Sequence, residues 1–216
     1  MSKNLALTDA HYTYLRRQHS HAGDALLAEL RRETEALGDI SRMLIPEEQG
    51  TLLGLLVAAT GAREVIEIGT FTGYSSTCLA RALPEGGRLL CCDQSDEWTA
   101  IARRYWAQTG VAERIELRLG RAAATLEALE PGRTFDFAFI DADKTGYDGY
   151  YEKLLPRMRR NGLLVFDNML AHGRVLKPES EDDRALDALN HKLARDPRVE
   201  CVLLPVADGL QLCRKR

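Results

Sequence analysis

The run Phe139-Ile140-Asp141-Ala142-Asp143-Lys144 sets two acids and a lysine at the end of an apolar stretch, and Phe166-Asp167-Asn168 ends the next stretch in a similar way. Ligands of open α/β sheets bind outside the carboxyl ends of the strands, so both clusters should converge there. Asp141, Asp167 and Asn168 then offer three hard oxygen donors. Such a set suits Mg²⁺, or another divalent cation such as Mn²⁺ or Ca²⁺, with remaining positions kept by water or substrate. A lone Asp at a strand end is more often a helix cap. Two neighbouring strands ending in acids weaken that blander reading.

A second cluster lies upstream in Glu67-Ile68-Gly69-Thr70-Phe71-Thr72-Gly73-Tyr74-Ser75. A Gly-rich turn between the first strand and its helix is where such folds take a nucleotide-like ligand. Gly69 and Gly73 lack the third glycine of a pyrophosphate loop. Asp93 closes the next apolar run, where a carboxylate suits a ribose diol. Together these features suggest an adenosine ligand without a pyrophosphate, and S-adenosyl-L-methionine fits. The alternative gives both glycines to the turn alone and Asp93 to a helix cap.

The elements that must carry these residues follow from the hydrophobic pattern. Short apolar runs at 64–68, 88–92, 114–119, 135–140 and 163–166 read as strands covered on both faces, as in parallel sheets. Helical stretches at 75–82, 96–108, 122–129 and 147–158 alternate with them, which implies a doubly wound α/β sheet. After a helix at 182–194 come runs at 199–204 and 210–213. The connection Pro205-Val206-Ala207-Asp208-Gly209 between them is short enough for a hairpin. The sheet is therefore expected to be seven-stranded and mostly parallel, with an antiparallel C-terminal strand. Residues 1–60 read as helical, with an amphipathic helix at 24–36 and another from Pro46 to Thr60. They either cap the active site or form an oligomer contact. The expected organisation is one domain over 1–216, with the α/β core at 61–216.

Bulk properties narrow the class. The chain has 216 residues, is 45% apolar and 28% charged, and carries a net charge of −3. That is an ordinary globular balance without the basic footprint of a nucleic-acid binder. No apolar run reaches the roughly 20 residues that span a bilayer. The first residues lack a secretory-signal pattern. Five cysteines (Cys78, Cys91, Cys92, Cys201 and Cys213) show neither metal-ligand nor CxxC spacing, which points to a reducing, cytoplasmic compartment.

The runs EIGTFTGYSS, LLCCDQS, FIDADKTGY, FDN and LLPVADGLQLC, in that order, resemble the caffeoyl-CoA/catechol O-methyltransferase family over about residues 40–216. This is the metal-dependent branch of the S-adenosylmethionine methyltransferases, with a Rossmann-like fold. The resemblance implies a small phenolic or catechol substrate, with no nucleic acid or membrane partner, and a homodimer. By the same resemblance Asp141, Asp167 and Asn168 hold the metal. Ile45, Glu67, Gly69, Thr70, Ser75, Asp93, Ala122, Asp141, Asp143 and Tyr150 line the cofactor site, and Lys144 is the general base.

One departure bears on substrate. The family often has Trp-Gly or Trp-Asn after the Asp-Asn-x-Leu segment, where this chain reads Ala171-His172. His172 then contacts substrate, serves as a second base or lies in a loop. Rival readings include an N-methyltransferase, which commonly carries an Asn/Asp-Pro-Pro-aromatic run where this chain has DADK. A nicotinamide oxidoreductase needs the missing third glycine. A non-catalytic S-adenosylmethionine-binding protein would leave the acids and lysine without a task.

Overall fold

The computed structural model describes residues 5–216. The reading of the N-terminus as free of a secretory signal falls largely on residues 1–4, outside that range. The first helices are α1 (Asp9–Leu15), α2 (Ala25–Glu35) and α3 (Glu47–Ala59), with a 3₁₀ segment at Gly38–Met43. Asp24 caps α2 by accepting from Leu27 N at 2.9 Å and pairs with Arg81 at 2.5 Å, which ties the helix to the body. Pro46 is the N-cap of α3, with Glu47 and Glu48 in the first turn, where acids complement the helix dipole.

The core alternates as expected: β1 (Glu64–Ile68), α4 (Tyr74–Ala82), β2 (Arg88–Asp93), α5 (Asp96–Gln108), β3 (Ile115–Leu119), α6 (Ala122–Glu127), β4 (Phe135–Ile140), α7 (Tyr147–Leu154), β5 (Met158–Phe166), α8 (Glu181–Leu193), β6 (Val199–Leu204) and β7 (Leu210–Lys215). The strands form one sheet in the order β3-β2-β1-β4-β5-β7-β6. β7 is antiparallel to both β5 and β6, and the other neighbouring pairs are parallel. The terminal hairpin thus inserts its last strand between β5 and β6. Two apolar clusters sandwich the sheet, one containing Ile66, Ile140 and Phe166 and the other Val65, Phe137 and Val165. Adjacent strand residues point to opposite faces, which produces this division.

Some boundaries differ from the sequence reading. β5 begins at Met158 rather than 163, because Phe135 pairs with Met158 across an irregularity before regular pairing resumes at Phe137↔Leu163. The charged stretch in between hid this start. The helix expected over 147–158 stops at Leu154 and tightens into a 3₁₀ turn at Leu155–Arg157 that contains Pro156. Among the described residues no helix is long and apolar enough to cross a membrane.

Candidate active site

The lateral hydrogen bonds of the sheet continue one residue past the strand ends. Gly69 N donates to Cys92 O at 2.9 Å, Asp141 N to Ile68 O at 2.8 Å and Asp167 N to Ile140 O at 3.0 Å. The backbone ladder itself therefore sets Gly69, Asp141 and Asp167 in a row across β1, β4 and β5. The row is tight. Gly69 has φ +90°, and a Cβ built on it would stand 2.0 Å from Asp141 O. Only glycine serves here.

Lys144 sits at the centre of the acidic side. Its Nζ donates to Asp141 Oδ1 at 2.9 Å, to Asn168 Oδ1 at 2.6 Å and to the Tyr147 hydroxyl at 2.7 Å. One ammonium is thus bonded to two of the three predicted metal donors. The third, Asp167, is 2% exposed. Burial, and then the charge of Asp141, push its carboxyl up to about 7. Asp167 Oδ1 accepts from Asn168 N at 2.7 Å and Oδ2 from Gln49 Nε2 at 2.8 Å. The Gln49 amide must turn its nitrogen to a carboxylate, which leaves Gln49 Oε1 buried without a partner. Among the described residues no group of three or more His, Cys, Asp or Glu side chains is placed to hold a metal. The third oxygen of this set comes from an amide, Asn168. A pocket of clustered oxygens already satisfied in part by an ammonium fits a hard cation.

On the other side, Asp93 Oδ2 accepts from Thr70 N at 2.9 Å and Phe71 N at 2.8 Å, while Oδ1 accepts from Ser95 N at 2.8 Å. The acid holds the Gly-rich turn and keeps remaining acceptor capacity for a ligand hydroxyl. Glu67 is fully buried, and burial pushes its carboxyl up to about 7; Cys91 Sγ donates to its Oε2 at 3.4 Å. Glu67 Oε1 and Thr70 Oγ1 are buried without a partner, and of the two only Thr70 borders the cavity described next.

A cavity of about 1370 Å³ joins these clusters. Ile45, Gly69, Thr70, Ser75, Asp93, Ala122, Asp141, Asp143, Lys144, Tyr150, Asp167, Asn168 and His172 line it. Glu67 does not line it; it stands behind the turn. Tyr150 donates its hydroxyl to Asp143 Oδ1 at 2.5 Å.

A model of the O-methyltransferase family matches residues 17–216. The chain belongs to that family. It is 44% identical over 179 residues to a probable caffeoyl-CoA O-methyltransferase 2 of Dictyostelium discoideum, covering 80% of this chain and 78% of that protein. It is 34% identical over 225 residues to a caffeoyl-CoA O-methyltransferase of Petroselinum crispum, covering 99% and 93%. Among solved structures, the O-methyltransferase from Bacillus cereus in complex with SAH superposes with a TM-score of 0.87 at 30% identity over 96% of this chain and 97% of that one. TomG from Streptomyces achromogenes, an O-methyltransferase in complex with SAM, gives 0.87 at 28% identity over 100% and 99%.

In this O-methyltransferase the departure at Ala171-His172 has a structural form. Ala171 (φ +48°) and His172 (φ +52°) both lie in the left-handed region, as do Phe71, Asn168 and Ala207. All five line the cavity. Strained backbone of this kind gathers at ligand sites. His172 N donates to Asp208 Oδ1 at 2.6 Å, and its ring is 73% exposed, 3.6 Å from Asp208. The ring stands at the cavity rim, anchored to the hairpin loop.

Sequence reading missed Gln49, Trp98 and Tyr147. Trp98 lines the cavity and meets Phe71 edge-on at 5.1 Å; its signal was an aromatic in the first turn after Asp93. Tyr147 is fully buried and braces Lys144. Gln49 gave no signal, because a glutamine beside two glutamates in a helix's first turn reads as solvated surface. Tyr12 and Arg16 of the N-terminal region also line the cavity.

Proposed function

We propose that this O-methyltransferase transfers the methyl group of S-adenosylmethionine to one hydroxyl of a catechol-like small molecule, a hydroxycinnamoyl-CoA or related phenolic among them, with a divalent cation as cofactor. One observation carries the metal part of the reading. The Lys144 ammonium is held between Asp141 Oδ1 and Asn168 Oδ1, so these oxygens are already arranged around positive charge.

Asp141, Asp167 and Asn168 are the proposed cation ligands; a metal there supplies Lewis acidity that lowers the pKa of a chelated phenol. The cofactor supplies a methyl group on a sulfonium, open to in-line displacement by the acceptor oxygen. Gly69, Thr70, Ser75 and Asp93 would grip its nucleoside and amino-acid parts, with Glu67 buried behind the turn that carries them, and Ile45, Ala122, Asp143 and Tyr150 would complete the wall. Lys144 Nζ would take the proton of the acceptor hydroxyl as the neutral amine, a form that burial or a cation bound beside it would favour, with Tyr147 and Asp141 fixing its position. Much of the rate gain is orientation, since the acids and the turn are hung on one sheet. His172 is a weaker candidate for acceptor contact, at the rim. Five free thiols accord with a cytoplasmic enzyme, and the family resemblance favours a homodimer in which residues 1–216 act as one catalytic unit.

A methyl-transfer assay over a catechol panel tests the proposal. Product should form with Mg²⁺, vanish with EDTA and return when Mg²⁺ is restored. Product formed in EDTA would overturn the metal-assisted reading.

A further inference from the structure

Cys201 on β6 and Cys213 on β7 are direct partners across the terminal antiparallel pair. One hydrogen bond fixes their place in the ladder. Arg216 N donates to Arg198 O at 3.0 Å, one step beyond the Val199↔Lys215 pair in the same register. Antiparallel ladders alternate between hydrogen-bonded and non-hydrogen-bonded pairs. Three steps separate Arg198 from Cys201 along the strand, so the class changes and the cysteines form a non-hydrogen-bonded pair. In that class opposed Cα atoms approach to about 4.5 Å, inside the roughly 4.4–6.8 Å that disulfides span.

The side chains agree with the backbone. As direct partners across the ladder, the two side chains stand on the same face of the sheet. Cys201 Sγ donates to Leu193 O at 3.1 Å, and Gln211 Nε2 approaches Cys213 Sγ at 3.9 Å. Cys213 is fully buried, whereas Cys201 is half-buried at the sheet edge. The remaining cysteines are not so placed. Cys91 and Cys92 are neighbours on β2 and enter opposite apolar clusters.

We propose that Cys201 and Cys213 form a redox-modifiable site, which a two-electron oxidant of the peroxide class converts into a cross-strand disulfide. The Cys201 sulfur, reachable from solvent, attacks one oxygen of hydrogen peroxide. The O–O bond breaks, a sulfenic acid forms and one water leaves. The Cys213 sulfur then attacks the Cys201 sulfur, the S–O bond breaks and a second water leaves. Two thiols and one peroxide thus give one disulfide and two waters, with the sulfurs surrendering two electrons. Burial holds both thiols above their ordinary range, so thiolate is scarce near neutrality and the reaction is slow unless peroxide is in excess. The bond would fasten edge strand β6 to the strand that pairs with Phe166, immediately before Asp167. It would also close the hairpin whose loop brings Ala207 and Asp208 to the cavity.

The folded full-length chain, exposed to excess hydrogen peroxide and then alkylated, tests the site by intact mass and peptide mapping. The expected result is a mass lower by two hydrogens, two of the five thiols lost, a peptide joining Cys201 to Cys213, and reversal by dithiothreitol. The thermal midpoint should rise on oxidation and return on reduction, and Cys201→Ser should abolish both changes. Sulfinic or sulfonic acid on Cys201 with Cys213 intact, a bond between other cysteines, or survival of both thiols would overturn the proposal.

Discussion

The side-chain amide of Gln49 donates to Asp167 Oδ2 at 2.8 Å, joining the first turn of α3 to the tip of β5. An N-terminal helix thereby orients a carboxylate of the acidic cluster. Groups of this kind around metal ligands typically alter cation affinity by about 10–100-fold. Gln49→Leu is expected to weaken Mg²⁺ binding, measured by titration calorimetry, by about 10-fold or more, with S-adenosylmethionine affinity retained. Unchanged Mg²⁺ affinity would refute this role.

Lys144 has two separable consequences. As the proposed proton acceptor it should contribute about 10²–10⁴-fold to turnover, so Lys144→Met should lower kcat by that order while cofactor affinity holds. Its ammonium also occupies Asp141 Oδ1 and Asn168 Oδ1. The same variant should therefore bind Mg²⁺ more tightly than the unaltered chain when no acceptor is present. Equal losses of turnover and cofactor binding would count against the role as base.

Glu67 links stability to pH. Its carboxyl is raised by burial from 4.5 to about 7 in the folded chain, so the folded state binds the proton more tightly than the unfolded one. The sign follows: Glu67's contribution is full below about 4.5 and is lost as pH rises through about 7. In ligand-free protein, Glu67→Gln should gain stability over the unaltered chain across that window, by an amount on the order of 3 kcal/mol at most. Chemical denaturation at several pH values checks this, and a difference that does not vary with pH would contradict it.

Gly69 and Gly110 separate two effects of adding a methyl group. Both have positive φ, but a Cβ at Gly110 meets nothing within 4 Å, whereas at Gly69 it meets Asp141 O. Gly110→Ala should cost only the left-handed penalty, about 1–2 kcal/mol. Gly69→Ala should cost more than that, and it should abolish cofactor binding by parting β1 from β4. Urea denaturation with a cofactor titration measures both, and similar losses would show that the close approach is unimportant.

The fold was legible because its central parallel strands are largely apolar runs, as strands covered on both faces must be, while edge strand β3 alternates apolar and charged residues. Acids at strand ends were legible for a related reason: they interrupt such runs where the sheet meets solvent. β5 was underestimated because residues 159–162 are charged, polar or glycine, although they extend the strand. α1 buries none of its residues, so no apolar stripe announced it. Gln49 and Tyr147 act through tertiary neighbours, which no local pattern encodes. Glu67 was read as a wall residue, yet the wall is the turn in front of it.

Asp141 and Asp167 hang from the backbone ladder, whereas the segments around Ala171, His172 and Ala207 are short strained loops. The two halves of the pocket are therefore free to diverge at different rates. Recoding 171–176 and 205–208 would remould the rim while the half on the ladder is inherited intact. In the language of enzyme engineering, the sheet is a fixed chassis and the rim is its interchangeable fitting.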